Sequence, residues 1–560
     1  MDPIWLENYP NDVPKKIDYP VVPITDLWDK ACMQFPDRVM LSFEGYCLTF
    51  RELMDKAASF ATSLHDLGIR PGDRVAILMP NLPSYVIAFL GILKAGAIVT
   101  QINPLYVARE IEYTLNNAEP RAVVTASLRV LPCYEQLKKA LPKAPSVEHV
   151  IVASVADGLP PLKRLLYNLF MGGLREKRAI AKDHLRFTQL LDIEPALPRF
   201  PVNPREDTLL LQYTGGTTGV SKGAELTHEN IVANVFQGRA ILTPRVKDGE
   251  EIALLALPLF HQFGAFVCIL ALQAAATIVA LPNPRDITHL LKVIEKERVT
   301  MFAGVPALFN AIINHPKVTT YDLTSVKVCI SGAAPLPPEI PRCFEKLTQG
   351  RLIEGYGMTE TSPLTHINPV FGREKIGSVG LPVPNTEVRI IDPEDGRDLG
   401  IDEPGEILIR GPQVMKGYWR MPEETAQVLK DGWMHTGDIG KMDEEGYFWI
   451  VDRKKDMIIS SGFNVYPREI EDILYEHPSI LEAAVVGVPD PKRGESAKAF
   501  VVLKEGQSVT EEELEAFCRK NLAKYKVPTF YEVRESLPKS AIGKILRRAL
   551  AAEERKKQQK

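Results

Sequence analysis

The pattern that most limits the fold is an alternation of short apolar runs with longer segments of helical length. RVAILMP at 74–80 is as continuously apolar as a strand covered on both faces must be. SYVIAFLGILKAG at 84–96 follows it as a helix, and Gly96 stands where such a helix stops. AVVTA (122–126), EHVIVA (148–153) and VTMFAGVP (299–306) repeat the strand signature. Alternating strands and helices predict an α/β chain of layered sheets. The 560 residues exceed one ordinary core, so a large two-part domain beside a smaller one is expected.

After about Gly377 the texture changes. TEVRIID, GEILIRG and YFWIVDR are short alternating strands between Gly, Pro and Asp turns, which predicts a β-rich subdomain. DRKKD at 452–456 is polar and lies between two structured patterns, so it reads as a linker. Beyond it, YPREIEDILYEHP reads as an amphipathic helix. AAVVGVP and AKAFVVLK read as strands, and TEEELEAFCRKNLA as a helix capped by Thr510. A compact α+β domain of roughly a hundred residues fits there.

Charge and cysteine usage narrow the function class. A net charge of −4 gives no basic field to gather nucleic acid. Seven scattered cysteines without a C-x-x-C pair read as reduced thiols of a cytoplasmic protein. The opening MDPIWLENYPNDVPKK has no apolar core, which argues against a secretory signal. FGAFVCILALQAAATIVALP at 263–282 approaches the length of a membrane span. Gln273 interrupts it and TIVAL is β-branched, so a buried helix followed by a buried strand is expected.

The stretch YTGGTTGVSKGA at 213–224 follows LLLQ, a buried strand. Small residues let the backbone approach a ligand. Hydroxyls, free N–H groups and one lysine suit a phosphate. A Walker A loop needs Lys directly after its second Gly, and here Lys222 follows Gly219-Val220-Ser221, so that pattern fails. Three further polar loops, SGAAPLP (331–337), EGYGMTET (354–361) and HTGDIG (435–440), share its character. In open α/β sheets, ligands bind where such loops leave the carboxyl ends of strands.

YTGGTTGVSKGA, YGMTE, TGD, DRKKD and PKSAIGKILRR, in this order, resemble the motif series of the adenylate-forming superfamily over nearly the whole chain. GWMHTGDIG and VDRKKDMIISSGFNVYPREIE are similar to the bacterial long-chain fatty acid–CoA ligases. The resemblance implies an AMP-binding domain at 1–452, a hinge at 453–456 and a mobile C-terminal domain at 457–560. It implies that ATP, a fatty acid and coenzyme A become acyl-CoA, AMP and pyrophosphate, with Mg²⁺ as the metal. A carboxylate must gain a leaving group before a thiol can attack it, and adenylation supplies one. No protein nucleophile is needed, so catalysis reduces to positioning and charge stabilisation. A CoA ligase for an aryl or medium-chain acid stays open, as does an acyl-AMP ligase that hands its product to a carrier protein.

The same resemblance distributes roles. Tyr213, Thr214, Gly215, Gly216, Thr217, Thr218, Gly219, Val220, Ser221, Lys222, Gly223 and Ala224 match the phosphate loop, with 214–222 around the β- and γ-phosphates. Gly332, Ala333 and Tyr356, with Gly357 beside it, match the adenine pocket. Thr359 is expected at the α-phosphate and Glu360 on Mg²⁺. Asp438 and Arg453 match the ribose contacts. Lys544 matches the mobile lysine of the small domain, Lys455 the hinge, and Gly462 the passage of the pantetheine arm. His261 matches a position near the acyl pocket, with 263–267 along an apolar channel. Ile459 stands where aryl-CoA ligases and luciferase carry a second lysine, which favours a fatty acyl substrate. Arg547 and Arg548 read as basic surface residues of a last helix.

LPPLKRLLYNLFMGGLREKR at 159–178 keeps two readings. It is a surface helix covering the core, or an interfacial helix that makes the protein peripheral to the cytoplasmic face of a membrane. A homodimer is also left open.

Overall fold

The computed structural model describes residues 3–170, 172–214, 221–242, 246–460, 463–490, 494–540 and 543–558. Two large sheets carry the first two thirds of the chain. One has eight strands, in spatial order Gly417–Tyr418, Lys222–Thr227, Thr208–Thr214, Ile98–Gln101, Arg74–Leu78, Ala122–Ala126, His149–Ala153 and Leu185–Arg186. The other has nine and runs from Leu381–Pro382 through Arg351–Gly357, Val328–Ser331 and Met301–Gly304 to Val39–Phe43 and Tyr46–Thr49. Parallel pairing dominates the middle of each; antiparallel strands close both edges of the nine-stranded sheet and one edge of the eight-stranded sheet, whose other edge, Leu185–Arg186, is parallel. The strand and helix runs legible in the sequence at 74–80, 84–96, 122–126, 148–153 and 299–306 all lie in these layers.

Helices Phe50–Asp66, Pro83–Lys94, His228–Leu242 and Gln262–Gln273 share one hydrophobic core with strands of both sheets. Phe50–Asp66 starts with a capping box, in which Thr49 accepts from the Glu52 amide and Glu52 accepts from the Thr49 amide. Pro83–Lys94 is apolar on every side because nearly every residue in it is buried. A Cβ at Gly91 would lie 2.8 Å from the Ala57 carbonyl, so glycine sets the close approach of these two helices. The apolar stretch 263–282 is a buried helix, Gln262–Gln273, followed by the strand Thr277–Ala280. Among the described residues no helix is long and apolar enough to cross a membrane.

Strands Glu387–Ile391, Gly405–Arg410, Leu429–Lys430, Trp433–Met442 and Phe448–Arg453 form the β-rich subdomain as one five-stranded sheet. A second five-stranded sheet follows in the C-terminal domain, with cores of its own around Ile470, Val485 and Leu514, and around Phe500 and Leu550. Thr510 caps its helix Glu511–Asn521 as expected.

The structure differs from the sequence reading at DRKKD. Asp452 and Arg453 end the strand Phe448–Arg453, and only 454–456 form a turn. A charge-rich segment looks like a linker when its counter-charges are remote in sequence. Asp452 is buried because Arg547 reaches it from 95 residues away. Arg547 is likewise no solvated surface residue. It bridges Asp452, Asp456 and Glu471, and begins the last helix, Arg547–Gln558.

Candidate active site

Three of the four polar stretches singled out in the sequence begin at the ends of strands Thr208–Thr214, Val328–Ser331 and Arg351–Gly357. HTGDIG at 435–440 is no loop: it lies within the strand Trp433–Met442, where pairing on both sides with Gly405–Arg410 and Phe448–Arg453 keeps its polar residues in the sheet. Strand Thr208–Thr214 leads into the phosphate-loop motif, and Lys222–Thr227 returns antiparallel to it, with Thr214 opposite Lys222. Gly215, Gly216, Thr217, Thr218, Gly219 and Val220 lie outside the described residues, as does Gly462. The base of the loop is fixed by Gln212, whose Nε2 donates to the Phe260 carbonyl at 2.8 Å. This ties the loop to the segment carrying His261.

Gly332 and Ala333 follow strand Val328–Ser331. Ala333 adopts a left-handed φ of 66°, and a Cβ on Gly332 would meet Phe263 at 3.0 Å. The next strand, Arg351–Gly357, delivers Tyr356. At Gly357 a Cβ would fall 1.7 Å from the Pro363 carbonyl oxygen, so only glycine fits. Thr359 and Glu360 stand on the short helix Thr359–Thr361.

Asp438 gathers two of the expected groups. Its Oδ2 accepts from the Tyr356 hydroxyl at 2.7 Å, and its Oδ1 lies 3.2 Å from Arg453 Nε. The sheet enforces this, because Asp438 and Arg453 are register partners on neighbouring strands. A carboxylate with an arginine beside it can receive the two hydroxyls of a ribose.

Glu360 is buried. Its Oε1 accepts from the Tyr418 hydroxyl at 2.7 Å, and its carbonyl accepts from the Met415 amide at 2.8 Å. Desolvation raises its pKa, and the Tyr418 hydrogen bond opposes that. Among the described residues no group of three or more His, Cys, Asp or Glu could hold a metal. A single buried carboxylate is a donor that fits Mg²⁺, which keeps few protein ligands and takes most of its shell from phosphate and water.

Lys544 arrives from the small domain. It lies in a turn in which its amide donates to Ser540 Oγ and its carbonyl accepts from the Ser540 amide. A Cβ on Gly543, next to it, would lie 3.7 Å from Val305 and Ala307 of the large domain. Desolvation, and then the charge of Arg453, pull the Lys544 ammonium down to about 7, against the attraction of Asp438. His261 feels the same lysine: burial and the Lys544 charge pull it down to about 4, so it is neutral. His261 caps helix Gln262–Gln273, its Nδ1 accepting from the Phe263 amide at 3.3 Å, which leaves the proton on Nε2.

The structure thus brings Tyr356, Asp438, Arg453, Lys544 and His261 to one place, with Glu360 buried close behind. Lys455 is exposed on the turn at 454–456. A small cavity, with room for about one water molecule, lies between helices Pro83–Lys94 and Gln262–Gln273, lined by Tyr85, Val86, Phe89, Gln101, Ala265 and Cys268 among others. Sequence reading missed Tyr418, the partner of Glu360. Its only signal was a two-residue apolar step in KGYW, too short to mark a strand. It also missed the buried role of Arg547.

The profile of AMP-binding enzymes matches residues 28–419, and that of the AMP-binding enzyme C-terminal domain matches 469–544. The long-chain-fatty-acid–CoA ligase of Bacillus subtilis is 44% identical over 564 residues, covering 98% of each chain. The long-chain-fatty-acid–CoA ligase of Yersinia pestis is 43% identical over 562 residues, covering 99% of this chain and 98% of its own. Among solved structures, ATP-bound MatB from Rhodopseudomonas palustris matches with a TM-score of 0.82 at 30% identity, over 95% of this chain and 99% of that one.

Proposed function

The chain belongs to the AMP-binding enzyme family, and from that premise we propose that it joins a long-chain fatty acid to coenzyme A. The carboxylate attacks the α-phosphate of ATP, pyrophosphate leaves, and the thiol of coenzyme A then displaces AMP from the acyl-adenylate. The observation that carries this reading is the position of Lys544. A lysine of the small domain stands among Asp438, Arg453 and His261 of the large one. A positive charge there meets the charge that develops between carboxylate and α-phosphate.

The other roles belong to the same proposal. Residues 213–224 hold the β- and γ-phosphates, Lys222 supplying a fixed charge. Tyr356, with Gly332 and Ala333, receives adenine, Asp438 and Arg453 the ribose, and Thr359 the α-phosphate. Glu360 holds Mg²⁺, which neutralises phosphate charge when bound. Neutral His261 donates from Nε2 to the acyl carboxylate, and residues 263–267 line the channel for the acyl chain. The turn at 454–456 is the hinge on which the small domain leaves so that the thiol can enter past Gly462.

The helix Pro161–Phe170 supports peripheral contact with a membrane. Leu162, Leu165, Leu166, Leu169 and Phe170 are all exposed, beside Lys163 and Arg164.

The reading is tested by trapping the intermediate. Protein, ATP, Mg²⁺ and palmitate without coenzyme A are expected to yield enzyme-bound palmitoyl-AMP by mass spectrometry. Adding coenzyme A should convert it to palmitoyl-CoA. Intermediate that persists after coenzyme A is added would contradict the ligase and fit an acyl-AMP ligase.

A further inference from the structure

Tyr418 lies between the strand Lys222–Thr227, which returns from the phosphate-loop motif, and the short helix that carries Glu360. Its hydroxyl donates to Glu360 Oε1 at 2.7 Å. The Lys222 ammonium stands 5.0 Å from the centre of its ring, within cation–π range. The ring is buried, so neither contact competes with bulk water.

The backbone around Tyr418 is held on both sides. Strand Gly417–Tyr418 pairs antiparallel with Lys222–Thr227, Tyr418 opposite Ala224. The Trp419 amide donates to the Gly223 carbonyl at 2.8 Å, and the Lys416 amide to the Glu225 carbonyl at 3.0 Å. On the other side the Met415 amide donates to the Glu360 carbonyl at 2.8 Å. A five-residue segment therefore stitches the strand returning from the phosphate loop to the loop that carries Glu360.

We propose that Tyr418 is a positioning residue that fixes Glu360 and Lys222 toward the triphosphate from a single side chain. The proposal rests on the reading of Glu360 and Lys222 given above. The last torsion of a glutamate is soft and roughly two-fold, so a carboxylate without a partner samples several orientations. A hydroxyl on Oε1 stops that rotation and leaves Oε2 as the oxygen a cation reaches. Mg²⁺ demands near-octahedral placement of each oxygen, so a fixed carboxylate binds it better than a rotating one. The ring face meanwhile keeps the long Lys222 side chain extended along the loop rather than folded into solvent.

Three variants separate the parts: Tyr418→Phe, Tyr418→Leu and Glu360→Gln. ATP binding is measured by calorimetry, once in EDTA and once in Mg²⁺, with thermal unfolding as the check on folding. Tyr418→Phe keeps the ring and loses the hydroxyl. It should bind metal-free ATP within about twofold of the parent and Mg·ATP roughly tenfold more weakly, the effect of losing a hydrogen bond to a charged group. Tyr418→Leu should weaken both. Glu360→Gln should remove the tightening that Mg²⁺ gives. Tyr418→Phe that binds Mg·ATP as tightly as the parent, while Glu360→Gln loses the tightening, would overturn the proposal and leave Glu360 as the metal ligand. Glu360→Gln that keeps the tightening would overturn the metal reading itself. The Lys222 half then stands only if Tyr418→Leu still weakens binding in EDTA. Tyr418→Phe carries the metal half alone if Tyr418→Leu does not fold.

Discussion

Arg547 donates from Nη1 to the carboxylate of Asp452 at 2.7 Å, joining the start of the last helix to the end of the strand that precedes the turn at 454–456. Glu471 and Asp456 flank the same guanidinium, and the Arg468 amide fills the other oxygen of Asp452. Lys544 lies three residues before Arg547, so this cluster fixes where the lysine is delivered. Arg547→Met should leave buried Asp452 and Glu471 without their counter-charge, at a cost of about 3–5 kcal/mol. The expected outcome is a lower unfolding temperature and palmitate-dependent adenylation slowed at least roughly tenfold. Thioester formation from supplied palmitoyl-AMP should fall by less, because that step does not use Lys544. Equal losses in the two half-reactions would contradict a role in placing the lysine.

Lys544 gives a pH signature. Its ammonium is pulled down to about 7, so in the free enzyme the charged form is present below that pH and lost above it. The value of kcat/KM for ATP reports the free enzyme and should decline as pH rises past about 7. Saturating ATP brings phosphate charge beside the lysine and favours its protonation, so the decline in kcat should lie at higher pH. Lys544→Arg keeps its charge throughout, and its slower rate should show no such limb. A parallel alkaline decline in that variant would assign the limb to another group.

Glu354 should make stability fall with pH. Burial raises its carboxyl from 4.5 to about 8, against the attraction of Arg468. Its contribution is fully present below about 4.5, where folded and unfolded chains are both protonated. Between 4.5 and 8 the unfolded chain releases the proton and the folded chain keeps it, so that contribution is lost. Glu354→Gln removes the titration. Denaturant unfolding should show the variant gaining on the parent by up to about 1.4 kcal/mol per pH unit across this window. Parallel stability curves from pH 5 to pH 8 would contradict the burial assigned to this carboxyl.

Membrane contact by helix Pro161–Phe170 should be lost when Leu166 and Phe170 are both changed to Glu. Each apolar side chain contributes about 1.5–3 kcal/mol when buried in lipid, so pelleting with anionic liposomes should weaken at least roughly tenfold. Unchanged pelleting would mean that this helix does not carry the contact.

The layered α/β order was legible because strands covered on both faces are apolar throughout, and RVAILMP cannot hide among polar loops. The loops that leave the strands ending at Ser331 and Gly357 were legible for a related reason: their glycines and hydroxyls break an apolar run abruptly, though the same signal misread 435–440, which is strand. Asp452, Arg547 and Tyr418 were misread or missed for one shared reason. Their partners are 95, 76 and 58 residues away in sequence, and a charge or a tyrosine carries no mark of what it will touch. Local pattern reports burial by apolar neighbours. It does not report burial by a counter-charge.

Separation of nucleotide products tests the central claim most directly. The protein is incubated with ATP, Mg²⁺ and palmitate, with and without coenzyme A, and AMP, ADP and pyrophosphate are resolved. Steady formation of AMP and pyrophosphate that requires both palmitate and coenzyme A is the predicted result. Formation of ADP would place attack at the γ-phosphate and contradict the reading of residues 213–224.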